Sequence, residues 1–187
     1  VSREGLLWAR PAVSPDGSQV AAAVKYGSGT DIVIVSLDGG QALLVTGPDS
    51  HGDSDPCWSP DGRWLVFAST AGGTWDIHAL DTDTLRRYRL TAVATAAVEP
   101  RISPDGGILS FLVRNTAGYE LRTMPFTPET GSPLPAAART PIPAPDLNRL
   151  EPKKPDLKPS GIPLSAWLPY VHAPYVSTDE EGDVSPA

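Results

Sequence analysis

The chain has 187 residues, of which 40% are apolar and 20% charged. That balance excludes a largely disordered chain, and no run approaches the ~18 consecutive apolar residues of a membrane-spanning helix. A net charge of −7 and a pI of about 4.8 leave no basic face to offer a nucleic acid.

The 21 prolines and 17 glycines point to many turns and little helix. Cys57 is the single cysteine, so no intrachain disulfide can form, and one thiol does not identify a compartment. The chain opens Val1-Ser2-Arg3-Glu4, with no initiator Met and no basic start leading into an apolar run. No signal peptide is therefore expected here, and the native N-terminus is expected to lie upstream.

The sequence is organised by a repeat. Ser-Pro-Asp-Gly occurs at Ser14 to Gly17, Ser59 to Gly62 and Ser103 to Gly106, with spacings of 45 and 44 residues. The register extends beyond the tetrapeptide. Six residues before each glycine stands a proline (Pro11, Pro56, Pro100), and three residues after it an apolar strand begins (Val20, Leu65, Leu109). Fourteen residues after it stands an acid, Asp31, Asp76 or Glu120, followed by Ile32, Ile77 or Leu121. Thr46 and Thr91 close the first two units. A period of this length matches a four-stranded propeller blade.

Each unit predicts the same chain of elements. Pro-Asp-Gly is turn chemistry: proline presets φ, the aspartate bonds nearby backbone and glycine accepts positive φ. The turn joins a short strand ending at Ser14, Ser59 or Ser103 to a second strand, over 20–24, 65–69 and 109–113. A third strand follows over 32–36, 77–80 and 121–124, and a fourth over 43–46 and 88–91. Short strands with regularly spaced turn signals predict an all-β fold. Three aligned columns are expected in the core: Val13, Trp58 and Ile102; Val20, Leu65 and Leu109; Ala22, Phe67 and Phe111. They are expected to bury against the neighbouring blade, since one blade has no core of its own.

This pattern resembles the TolB-type propeller repeat, over roughly residues 1–126. The resemblance implies a bacterial periplasmic or cell-envelope location and a family of mixed roles. That family includes periplasmic binding propellers, propeller domains of prolyl-oligopeptidase-type and tricorn-like serine peptidases, and propellers fused to outer-membrane barrels. Fold alone does not choose among them.

The expected organisation is three blades, over about 1–46, 47–91 and 92–126, and then a tail. The third blade is expected to be incomplete. Its fourth strand falls near Ser132-Pro133-Leu134-Pro135, where prolines remove ladder donors and disfavour a regular inner strand. The start of the chain coincides with a blade boundary, as if earlier blades preceded it. Propellers close with about four to eight blades, so three leave two open faces. These faces, carrying columns such as Ala22, Phe67 and Phe111, call for missing neighbouring blades, a homodimer, or cover by the tail.

Between Pro125 and Pro163, 11 of 39 residues are proline, which predicts an extended linker or strap over 127–160. Residues 161–175 are apolar enough to dock, through Ile162, Leu164 and Trp167. The strap ending in Trp167-Leu168-Pro169-Tyr170 resembles the segment that joins propeller to barrel in one bacterial group. Residues 176–187, acidic and without a basic residue, predict a disordered end.

No catalytic, cofactor or metal residue is assigned. No Gly-x-Ser-x-Gly elbow occurs. Cys57 aligns with Ala12 and Arg101 and reads as a half-buried or surface-leaning thiol. His78 aligns with Val33 and Arg122 and reads as an outward-facing strand residue; His172 has no obvious partner. The loop Asp49 to Asp55 holds three carboxylates and His51, yet its spacing is not a calcium-loop pattern, and an acidic connection between blades is the simpler reading. Asp16, Asp61 and Asp105 recur in every unit, as turn-capping residues do and a catalytic residue does not. The expected function is a non-catalytic propeller segment of a larger envelope protein that binds a protein or peptide. The alternative is the gating propeller of a serine peptidase whose catalytic domain lies outside this chain.

Overall fold

In the structure, a computed structural model, residues 7–142 are described apart from 27, 39–40 and 48–49; of the remainder, only 177–178 and 184–185 are. The described residues are almost entirely antiparallel strands. Blade 1 is β1 (Trp8–Val13), β2 (Gln19–Tyr26), β3 (Gly29–Ser36) and β4 (Ala42–Leu44). Blade 2 is β5 (Asp53–Trp58), β6 (Trp64–Ser69), β7 (Asp76–Asp81) and β8 (Arg87–Arg89). Blade 3 is β9 (Ala97–Ile102), β10 (Ile108–Asn115) and β11 (Gly118–Pro125). A 3-10 turn at Pro128–Thr130 leads to β12 (Ser132–Leu134) and β13 (Thr140–Ile142). A second unit, 148–187, contributes the short pair β14 (Ser177–Thr178) and β15 (Val184–Ser185), inside the stretch expected to be disordered. The apolar segment 161–175 and His172 lie outside the described residues.

The three Ser-Pro-Asp-Gly turns are built alike. In the first, the Gly17 N–H donates to the Ser14 carbonyl at 2.9 Å, and the Ser14 hydroxyl donates to Asp16 Oδ1 at 2.6 Å while accepting from the Gln19 N–H at 2.9 Å. Ser59 with Asp61 and Trp64, and Ser103 with Asp105 and Ile108, repeat these bonds. Gly17, Gly62 and Gly106 all have positive φ, at 73°, 73° and 75°. The aspartates are therefore turn braces. Hydrogen bonds from Ser14 and Ser18 lower Asp16 to about 2, and Ser103 lowers Asp105 in the same way.

Blades stack by burying apolar faces against each other. Between blades 1 and 2, Ala21, Ala23 and Ile32 meet Trp58, Leu65 and Phe67. Between blades 2 and 3, Val66, Ala68 and Ile77 meet Leu109, Phe111 and Val113. Backbone bridges at equivalent positions, Thr30 to Gly52 and Trp75 to Ala96, link each blade to the next. The expected core columns hold in blade 2, where Trp58, Leu65 and Phe67 are buried. In blade 1 the column of Ala22 holds, since Ala22 is buried, but two positions are corrected: Val13 is 60% exposed and Val20 only half-buried, at the part of this face that no described blade covers. Ile102 is half-buried against the blade 2 side. The expected open faces change accordingly. Phe67 and Phe111 are covered, and the exposed apolar side chains of blade 3 are instead Ile108, Tyr119 and Leu121.

The Pro-rich segment behaves as a strap on the outer rim. The residues that the period assigns to blade 3 as its fourth strand form β12, which pairs with β8 of blade 2. β13 then pairs with β4 of blade 1. Both additions are edge strands, where a proline removes no inner ladder bond. Blades 1 and 2 thus have five strands and blade 3 three.

A missing lock explains why blade 3 stops there. In blades 1 and 2 the threonine after the fourth strand accepts the N–H of an isoleucine within the third: Ile32 to Thr46 Oγ1 and Ile77 to Thr91 Oγ1, both at 2.9 Å. Asp76, fully buried, accepts from the Thr91 hydroxyl at 2.8 Å and from Arg89 at 2.5 Å. The matching position in blade 3 is Pro135, which has no hydroxyl, and Glu120 lies exposed beside Arg122 at 3.3 Å.

Replacing Gly62 tests the turn. Its φ of 73° disfavours a β-branched residue, and the nearest atom to an added Cβ is 3.8 Å away, so the cost is conformational rather than steric crowding. Gly62→Val is expected to destabilise the chain by about 1–3 kcal/mol in denaturant unfolding. An unchanged midpoint would show that the turn does not require this conformation.

Candidate functional site

The inner edge of the fold is the surface that the repeat builds most deliberately. β1, β5 and β9 are each an edge strand of their sheet and pack side by side. All three carry a bulge, between Ala9 and Ala12, Ser54 and Cys57, and Val98 and Arg101. At each bulge one non-glycine residue adopts positive φ: Arg10 at 55°, Asp55 at 55° and Glu99 at 53°. They occupy one repeat column, immediately before Pro11, Pro56 and Pro100. A non-glycine residue in this region carries a backbone cost of about 1–2 kcal/mol. Such conformations persist only where the surroundings impose them. The bulge turns these side chains out of the pleat, and two of them meet: Arg10 Nε lies 3.4 Å from Asp55 Oδ1. The alignment of these three residues was legible in the sequence, but their shared backbone conformation was not, because nothing local signals positive φ at Arg, Asp or Glu.

The other candidates fall elsewhere. Cys57 is half-buried; burial pushes its thiol up, which reduces the thiolate it can offer. In the loop 49–55, Asp49 lies outside the described residues, Asp53 is buried and Asp55 pairs with Arg10. No group of three or more His, Cys, Asp or Glu side chains among the described residues could hold a metal ion. No described helix is long and apolar enough to cross a membrane.

His78 is a correction. The expected outward-facing residue is 1% exposed and packs against Phe67, its cross-strand partner, with ring centroids 6.0 Å apart. This column faces the preceding blade, and blade 1 covers it. The equivalent Val33 is buried as well, while Arg122 in the three-stranded blade is exposed.

A family model for the TolB beta propeller domain matches residues 1–134. The chain belongs to the TolB beta propeller family. A Tol-Pal system protein TolB from Francisella tularensis is 30% identical over 99 residues, which cover 53% of this chain and 22% of that protein. Among solved structures, TolB from Acinetobacter baumannii superposes with a TM-score of 0.56 at 24% identity, covering 77% of this chain and 35% of that one. A Mycobacterium tuberculosis puromycin-hydrolyzing peptidase gives a TM-score of 0.53 at 19% identity, covering 68% and 22%. This chain therefore spans about a fifth of the curated TolB that it matches, and the structural likenesses show the fold alone. The periplasmic or envelope location implied by the TolB resemblance agrees with these Tol-Pal relatives.

The buried imidazole supplies a pH test. Burial is the main cause that lowers His78 to about 4 from 6.5; Arg87, Arg89 and His51 push the same way, and Asp76 opposes. Between pH 6.5 and 4 the unfolded chain binds a proton at this residue and the folded chain does not. Stability is therefore full above about pH 6.5 and falls as pH drops toward 4, by up to about 3 kcal/mol. The lowered carboxylates of Asp16 and Asp105 act in a more acidic range, where they lose their contribution. His78→Val, which copies Val33, is expected to flatten the stability profile over pH 6.5–4. An unchanged slope in urea titrations would exclude His78 as its source.

Proposed function

We propose that this chain is a non-catalytic propeller segment of a larger bacterial envelope protein, binding a protein or peptide partner at its inner edge. The observation that carries the reading is the column of Arg10, Asp55 and Glu99. The backbone there is held constant from blade to blade, in a conformation that side chains resist, while the charge varies. Arg10 and Glu99 are exposed and Asp55 is buried against Arg10, so a constant backbone with variable side chains presents a recognition surface on a rigid frame. Peptidase catalysis by a nucleophilic triad instead needs a nucleophile, a base and an orienting group brought together once.

The family relationship supports the same choice. At the level of sequence this chain is similar to TolB, named for the Tol-Pal system, whereas its likeness to a peptidase is one of fold. The raised thiol of Cys57 also weighs against a cysteine nucleophile. The peptidase-gate reading gains no residue-level support from these observations.

Cross-linking tests the proposal. A photoreactive side chain at position 99, in protein exported to the periplasm, is expected to capture one or a few discrete envelope proteins. The same label at exposed Ala136 on the outer rim is expected not to. Equal capture at both positions would overturn the inner-edge site. Ester or peptide turnover by purified protein, lost in Cys57→Ala, would overturn the non-catalytic reading.

A further inference from the structure

The two blade-to-blade junctions are not equivalent. Between blades 2 and 3, the Trp64 and Tyr88 rings pack edge to face with centroids 5.9 Å apart, and Met124 and Phe126 lie against the same cluster. The repeat places Gln19 and Leu43 of blade 1 at the positions of Trp64 and Tyr88. Two aromatic rings are thus missing from the junction between blades 1 and 2, and a cleft of about 700 Å³ lies there. Its apolar lining includes Ile34, Leu43, Val45 and Trp58. Trp58 cannot swing in to fill the space without breaking the bond from its Nε1–H to the Ala12 carbonyl, 3.1 Å long.

The cleft has a built outline. The strap crosses from β12 on blade 2 to β13 on blade 1 past this junction, where the Ala137 N–H donates to the Leu85 carbonyl at 2.8 Å and Arg139 donates to the Thr82 carbonyl at 2.5 Å. The lining also includes the turns that carry Asp16, Asp61 and Asp83. Of the two arginines in the lining, Arg63 is already held by Asp81 at 2.9 Å and by Glu129 at 3.3 Å. Three aspartates and two arginines thus line the cleft, and one of the arginines is already ion-paired.

We propose that the cleft between blades 1 and 2 is a second binding site, which takes a peptide segment placing one large aliphatic side chain on Leu43 and Trp58 with a flanking lysine or arginine at Asp83. The site is separate from the inner edge formed by Arg10, Asp55 and Glu99, so it goes beyond the function proposed above. Shape and charge select the occupant together: Ile34, Leu43, Val45 and Trp58 can seat an aliphatic side chain, and the aspartates of the lining suit a cation.

Fluorescence anisotropy with a labelled Gly-Lys-Leu-Lys-Gly peptide tests this on the full chain. Saturable binding that weakens with salt is expected. Replacing the peptide's leucine by glycine, or its lysines by glutamates, is expected to abolish it. Gln19→Trp combined with Leu43→Tyr copies the filled junction and is expected to weaken binding about ten-fold or more, since a single large apolar contact is worth that much. Asp83→Lys changes only an exposed side chain and is expected to weaken binding about three-fold or more. It keeps the test valid if the double variant does not fold. Affinity unchanged in Asp83→Lys or in a folded double variant would overturn the proposal. So would equal binding of the glycine control, which would reduce the effect to surface charge, or no binding at millimolar peptide.

Discussion

A blade of four short strands is a sheet with two faces and no interior, so burial of one blade against the next governs everything else in this chain. Phe67 and Leu65 are fully buried because blade 1 lies over them, and Leu109 because blade 2 does. Val13, at the same position as the buried Trp58, is exposed because no described neighbour covers it. Side-chain type was correct in each column; the presence of a partner face decided the burial.

The outer rim obeys a related constraint, that of unpaired edges. The Pro-rich strap satisfies two edges at once, running back from blade 3 to add β12 to blade 2 and β13 to blade 1. It also brings Ile142 into the cluster of Val24, Val33 and Leu44 on the far face of blade 1. The price is paid by blade 3, whose third strand is left as an edge with Tyr119 and Leu121 exposed. The threonine lock ties these facts together. Where Thr46 and Thr91 hold the third strand to the end of the fourth, the blade is complete; in blade 3, which has Pro135 at that position, the preceding residues pair with another sheet.

The repeat is most informative where it is broken. Residues that recur, such as Asp16, Asp61 and Asp105, brace the turns through hydrogen bonds. Departures from the repeat instead create the surfaces available for recognition. Charge varies along the column of Arg10, Asp55 and Glu99 while the bulge stays fixed. The loss of two aromatics at Gln19 and Leu43 opens the junction between blades 1 and 2. Within a frame of this kind, specificity is written in the exceptions.

The period, the three turns, the order of strands and the family resemblance were all legible in the residues alone. The reason is that these rest on local chemistry: Ser14, Asp16, Gly17 and Gln19 complete the whole turn network within six residues. The sequence also showed which column would hold Arg10, Asp55 and Glu99, though not that their backbone would be left-handed. His78 illustrates the limit, since a histidine aligned with Val33 and Arg122 reads as a surface residue until blade 1 is laid over it. Tertiary structure alone decided the destination of Ser132–Leu134, the faces left open and the cleft beside Trp58. Edge pairing and burial depend on which distant segment arrives, and no spacing within one repeat encodes that partner.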